Sequence, residues 1–234
     1  MLGHLPTNVA PELGEDRSGA TNMTVKEISI PLTLPPPKVA RSKGVHLSAI
    51  IRCIAIEMGI LKPEWIEESS LADSRIITVP TAILRILIGL AWEQLYIPEI
   101  LSHEGVLDHP DEMCLDDVYM SPDGESVSVI ITPTTAVGDR IGYTVIHEVK
   151  ATYKSLKTVG DLTSQWMWLA QIKGYCKGAR TTFAVLHVLF LCGDYSYPIT
   201  PVNKVWELEF TQKEIDENWD LMRDYRDEKL RERT

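Results

Sequence analysis

The stretch that constrains this chain most is TTFAVLHVLFLC, residues 181–192. It is apolar at odd and even positions alike, so as a strand it has no face for water. Such a strand needs cover on both sides, which calls for a sheet with helices above and below it. The neighbouring pattern supplies those helices. VHLSAIIRCIAIEMGIL predicts one, with Ser48 as its N-cap. A short helix is expected after Pro63. TVPTAILRILIGLAWEQLYIPEIL predicts a longer helix, apolar on nearly every face and therefore largely buried. Three strands follow, MCLDDVYMS, ESVSVIIT and GYTVIHEVKATYK, the first two split by the turn signal Pro-Asp-Gly at 122–124 and the last two by a loop holding Gly138 and Asp139. SQWMWLAQIKGYCKG reads as a helix starting near Asp161 to Ser164, and KVWELEF as a strand after the apolar run. The last helix opens on Thr211 with Glu214 three residues on, a capping box, flanked by Phe210 and Ile215 as a hydrophobic staple. Its dense charge reads as a solvated face. Helix, three strands, helix, strand, then additions make a mixed α/β domain.

Residues 1–44, rich in Pro, Gly, Ser and Thr, read as a flexible or extended segment in which VKEISIPLTL adds an edge strand or drapes over the body. Residues 45–234 form the folded domain. No apolar run approaches the roughly 18 residues of a membrane span, and the first residues lack a signal-peptide pattern. Four scattered cysteines, Cys53, Cys114, Cys176 and Cys192, fit no metal pattern and read as reduced thiols of a cytosolic protein. The net charge of −10 excludes a protein that coats nucleic acid non-specifically, but leaves room for one local groove.

Against that background VIHEVKAT, residues 145–152, is odd. Residues two apart on a strand share a face about 6.7 Å apart, so Glu148 and Lys150 point the same way and His147 and Val149 the other. Burying two charges is costly. A salt-bridged pair at a strand end is one explanation, and one Glu-x-Lys is expected by chance in a chain of this length, with each residue at roughly 6%. Ser121-Pro122-Asp123-Gly124 lies one strand earlier. It is a plain β-turn, or a turn whose hairpin carries Asp123 back beside Glu148. Two adjacent carboxylates repel, and one keeps its proton unless a cation is present; an oxygen-bound divalent ion meets that demand. Glu93, in GLAWE, is a helix-end glutamate near solvent or a third carboxylate aimed at the same ion, with Gly89 letting its helix approach the sheet. Gln171 and Tyr175 share a helix face with Trp168 nearby, either as packing on the sheet or turned to the metal and a phosphate.

The set GLAWE, SPDG, EVK and AQIKGY, in that order, resembles the PD-(D/E)xK nuclease superfamily, and within it the phage lambda exonuclease and viral recombinase group. The Gln-x-x-x-Tyr spacing is similar to that of RecB-type nucleases. The resemblance covers roughly residues 45–200. It implies a restriction-endonuclease-like αβββαβ core, a central mixed sheet flanked by helices. It implies a metal-dependent DNA nuclease, an exonuclease acting at DNA ends in recombination, repair or replication; the alternatives are a structure-specific or nicking endonuclease and a catalytically silent DNA-binding module on the same fold. Mg2+ would be the cofactor, with Mn2+ able to substitute. By resemblance Glu93, Asp123, Glu148 and the Val149 carbonyl hold the metal, Lys150 stabilises charge, Gln171 orients water or Lys150, and Tyr175 donates to a phosphate oxygen. Asp116 and Asp117 are the reserve for Asp123, since they resemble another motif of the superfamily. Lys154, Lys157, Lys173 and Lys177, with Arg180, are the expected DNA grip, and Trp166 and Trp168 are core tryptophans or base-stacking groups. The partners implied are DNA with a free end, a single-strand-annealing or replication protein and further copies of the chain, in the cytoplasm of a bacterial or phage-infected cell.

Overall fold

The structure is a computed structural model that describes residues 42–62, 80–132 and 139–230, all within one unit running from Leu32 to Thr234. The expected N-terminal segment up to residue 41, its edge strand, the short helix after Pro63 and most of the loop before residue 139 lie outside the described residues.

A five-stranded mixed sheet runs in the order β2 (Leu107–Asp108), β5 (Gly124–Thr132), β6 (Asp139–Thr152), β7 (Phe183–Phe190), β8 (Val202–Glu209). Neighbours are antiparallel except β6 and β7, which are parallel and set Glu148 beside Leu186 and Lys150 beside Val188. β7 is the apolar run, and it is covered on both faces as its composition demands. Ala184, Leu186, Val188 and Phe190 enter a large core with α1 (Leu47–Glu57), α3 (Trp166–Ala179) and α4 (Gln212–Tyr225). On the opposite face α2 (Pro80–Glu99) lays Tyr96 and Ile97 against Val149 of β6, and Tyr96 bonds His187 of β7. The mixed α/β class, a mixed sheet flanked by helices, is as the sequence implied.

Four local expectations change. MCLDDVYMS is not a strand of the central sheet. Asp116 and Asp117 both take left-handed backbone, φ 49° and 59°, which folds the segment into a two-residue hairpin. Its arms, β3 (Met113–Leu115) and β4 (Val118–Met120), form a separate three-stranded sheet with β1 (Val45–His46). Ser48 is not the N-cap of α1; that position is His46, and it makes no side-chain cap bond. α2 is not buried all round, because Leu84 and Leu95 are exposed. A Cβ on Gly89 would meet nothing within 4 Å among the described residues, so that glycine is not what lets α2 approach the sheet. The close approach lies elsewhere: a Cβ on Gly174 of α3 would collide with Leu47 of α1.

The start of α4 is as expected. Thr211 Oγ1 accepts from Glu214 N at 3.2 Å, Thr211 N donates to Glu214 Oε2 at 2.9 Å, and Phe210 and Ile215 are buried. Its outer face carries the ion pairs Lys213–Glu217 and Arg223–Asp220. Among the described residues no helix is long and apolar enough to cross a membrane.

Candidate active site

Gly124 opens β5 opposite His147, so the turn before it delivers Asp123 to the level of Glu148. A Cβ at Gly124 would stand 2.8 Å from Val106 and 3.3 Å from His147, which is why this turn ends in glycine. Asp123 Oδ2 accepts the Val149 N–H at 2.8 Å. Burial pushes the Asp123 carboxyl up, against the charge of Lys150 and the Val149 bond, which pull it down.

Glu148 has no solvent exposure at all. Its Oε1 takes the Lys150 ammonium in a close ion pair, and its Oε2 is buried with no hydrogen-bond partner among the described residues. Burial, then the charge of Asp123, pushes the Glu148 carboxyl up to about 8, with Glu93 adding to the effect and Lys150 opposing it. At neutral pH the pair therefore holds a proton where a cation could sit. Burial pulls Lys150 down, but Glu148 and Asp123 outweigh it and raise its pKa, so the ammonium stays charged. Lys150 Nζ also donates to Gln171 Oε1 at 3.3 Å, and Gln171 Nε2 donates to the Tyr175 hydroxyl at 2.7 Å. Glu148, Lys150, Gln171 and Tyr175 thus form one polar line from β6 to α3.

These groups line a cleft of about 350 Å3, together with Glu93, Val149 and Trp168. Glu93 Oε1 lies 3.6 Å from His109 Nε2, and its charge reaches both Glu148 and Lys150. Among the described residues no three His, Cys, Asp or Glu side chains form a ready-made metal cage. The donor set nonetheless suits a hard dication: a coupled carboxylate pair, an orphaned buried oxygen and a third acid on the same cleft. Asp116 is elsewhere, accepting from Trp219 Nε1 at 2.8 Å, and Asp117 sits beside it in the hairpin turn; neither lines the cleft that Asp123 lines. A larger hollow of about 450 Å3 behind α3, lined by Cys114, Cys176, Lys177 and Arg180, contains none of the carboxylates. Burial pushes the Cys176 thiol up to about 12, so it is no nucleophile.

The expected DNA-gripping lysines divide. Lys154 lies over the ring of Trp168 at 5.2 Å and donates to Gln165 Oε1 at 2.6 Å, at the edge of the cleft. Lys157, Lys173 and Lys177 do not line it; they pair with Asp194, Glu214 and Asp216. Lys173 and Lys177 fall on the face of α3 turned to α4, where they meet Glu214 and Asp216; Lys173 is two positions on from Gln171, and a helix turns about 200° in that step. Trp166 packs against the large core.

Sequence reasoning missed the α1 side of the cleft, where His46, Ser48 and Arg52 face the carboxylates. The four-residue spacing of Ser48 and Arg52 puts them on one helix face, but nothing in the sequence showed where that face would point. It also missed a buried chain behind β6. Ser126 Oγ bonds His147 Nε2 at 2.8 Å, His147 Nδ1 meets His187 Nε2 at 3.1 Å, and His187 Nδ1 meets the Tyr96 hydroxyl at 3.3 Å.

No protein-family model and no curated protein matches this chain. Among solved structures it is similar to a phage-related exonuclease from Haemophilus somnus 129PT, at 11% identity over 82% of this chain and 96% of that one, with a TM-score of 0.46. It is similar also to an alkaline exonuclease from Laribacter hongkongensis, at 10% identity over 79% of this chain and 87% of that one, with a TM-score of 0.44. The complex of that exonuclease with dAMP gives 12% identity, the same coverage and a TM-score of 0.45. What fold and cleft define together is a mixed-sheet α/β protein with a buried carboxylate pair and a lysine beside it.

Proposed function

We propose that this protein is a metal-dependent DNA nuclease that hydrolyses phosphodiester bonds, working as an exonuclease at DNA ends in recombination, repair or replication. The observation that carries the reading is Glu148: wholly buried, within reach of the Asp123 charge, with one oxygen on Lys150 and the other without a partner among the described residues. A fold stabilised by that arrangement alone would leave a buried acceptor unsatisfied, which is costly; a site that takes a cation explains it. Glu93, Asp123, Glu148 and the Val149 carbonyl are the ligands we assign to Mg2+, or to Mn2+ in its place. Bound there, the ion supplies Lewis acidity toward a phosphoryl oxygen. Lys150, kept protonated by its carboxylates, places a fixed positive charge where negative charge grows on the phosphate. Gln171 holds Lys150 and Tyr175 in line, so the ammonium and the phenol face the substrate in fixed positions.

The test is a labelled linear duplex incubated with Mg2+ or Mn2+. Wild-type protein should shorten it from its ends and leave a closed circle whole. Lys150→Ala should slow cleavage by about 100-fold or more, the scale of losing one preorganised charge. Intact linear DNA after incubation with wild type, or equal rates for Lys150→Ala, would refute the reading; cutting of the closed circle would make it an endonuclease.

A further inference from the structure

The connection between β7 and β8, residues 191–201, is built to hold apolar side chains out in water. Tyr197 is 96% exposed, Ile199 58% and Tyr195 52%. Scattered exposed apolar residues are ordinary on any protein; three within five residues of one well-anchored loop are not. The anchors are numerous. Leu191 N donates to Thr152 O at 3.0 Å, and Leu156 N to Gly193 O at 2.9 Å. The Tyr195 hydroxyl donates to Tyr153 O, Ser196 N donates to Asp194 Oδ1 at 2.9 Å, and Lys157 pairs with Asp194 at 3.0 Å. Tyr195 itself sits in left-handed backbone, φ 64°, a conformation unfavourable for a tyrosine that persists only when its surroundings fix it. These anchors fix residues 191–196, the segment that leads directly into the exposed Tyr197.

The loop also stands in a telling place. It is tied to residues 152–156, the segment that leaves β6 just after Lys150, at the carboxyl ends of the parallel pair β6 and β7. Lys154 on that segment lies over Trp168, which lines the carboxylate cleft, and the Arg85 guanidinium lies 5.8 Å over the Tyr153 ring. Aromatic faces interleaved with cations suit a nucleic-acid strand, whose bases stack and whose phosphates are neutralised.

We propose that loop 191–201 is a stacking platform for unpaired bases, with Tyr197 as the principal face, and that it receives the single strand whose phosphate lies in the cleft. This rests on the nuclease reading for the strand's path, though base stacking can be measured without catalysis. The experiment is fluorescence anisotropy of a labelled 12-nucleotide single strand with the full chain in EDTA, where no cleavage occurs. Tyr197→Ala should weaken binding about tenfold, the scale of one lost base–aromatic stack, and Ile199→Ala should weaken it less. Tyr197→Phe and Tyr197→Trp should retain wild-type affinity, since both keep an aromatic face. An abasic strand of equal charge should bind wild type and Tyr197→Ala alike. Equal affinity of wild type and Tyr197→Ala for the normal strand, or no binding by either, overturns the platform. If binding depends on Tyr197 but wild type cleaves no linear DNA with Mg2+ or Mn2+, the platform stands and the nuclease reading falls. Cleavage without any Tyr197 dependence of binding gives the reverse.

Discussion

Glu148 shows how one residue's surroundings set its chemistry. Its carboxyl is raised from 4.5 to about 8 by burial first and by Asp123 second. The sign follows from linkage. Between pH 4.5 and 8 the folded state holds a proton at Glu148 that the unfolded state has lost, so this group's contribution to metal-free stability falls as pH rises through that window. Thermal melts in EDTA should show a lower Tm at pH 8.5 than at pH 6.5, and Glu148→Gln, neutral throughout, should flatten that slope. A cation reverses the preference, because binding expels the proton. Millimolar Mn2+ should therefore raise the wild-type Tm, more at pH 8 than at pH 6, and leave Glu148→Gln unmoved. An equal Mn2+ shift in the variant would mean that the ion binds elsewhere. Of this residue, the sequence showed the strand face, the spacing to Lys150 and the turn carrying Asp123. It could not show that Glu148 Oε2 lacks a partner, since that depends on what α1, α2 and α3 leave open around it.

Among elements, the legible ones were those whose periodicity is local: β5, β6, β7, α3 and the capping box of α4. The β3–β4 hairpin was misread as one strand because MCLDDVYMS alternates well enough for either, and only the left-handed pair Asp116–Asp117 decides between them. The course of α1 over the cleft was invisible for another reason. It depends on Gly174 letting α1 settle onto α3, a contact between residues far apart in sequence. Gly174→Ala should force Leu47 out of place and lower stability by about 1–3 kcal/mol, as overpacking does. Leu47→Ala in the same chain should recover part of the loss, and a denaturant-melt double-mutant cycle with no coupling would show that the two side chains do not clash. On the other face of the sheet, His147 and His187 join β6, β7 and α2 as neutral rings. Burial pulls both down from 6.5 to about 4, with their mutual repulsion adding to the effect at His187. Here the unfolded state binds more protons, so their contribution is complete above pH 6.5 and is lost as pH falls toward 4. In a Glu148→Gln background, which removes the opposing contribution of that carboxyl, Tm should drop across that window, and less steeply when His187→Gln is added, whose side chain cannot titrate; parallel profiles would place the acid sensitivity elsewhere.

For the whole molecule, a net charge of −10 would have to coexist with the polyanionic substrate proposed above. The structure ties several of the cations expected to grip DNA to its own acids. Lys157, Lys173 and Lys177 are each tied to a carboxylate, two of them on α4. Among the described residues, the Lys and Arg side chains on the cleft or its rim are few: Lys150, Arg52 and Lys154. Binding should therefore be local, with a weak dependence on salt. For about three neutralised phosphates on a single strand, log K against log salt should fall with a slope of about −2. Lys154→Ala should make that slope shallower by about 0.7, the loss of one contact. Lys173→Ala and Lys177→Ala should leave affinity within about twofold, because each removes a cation already matched by Glu214 or Asp216 on a half-exposed surface, where such pairs are worth little. Anisotropy titrations of the labelled single strand between 50 and 200 mM NaCl, a range wide enough to resolve such slopes, provide the measurement. A slope of about −4, as six contacts would give, or a large loss in Lys177→Ala, would show that the strand runs along α3 and α4 instead, over lysines that abandon their acidic partners to meet it.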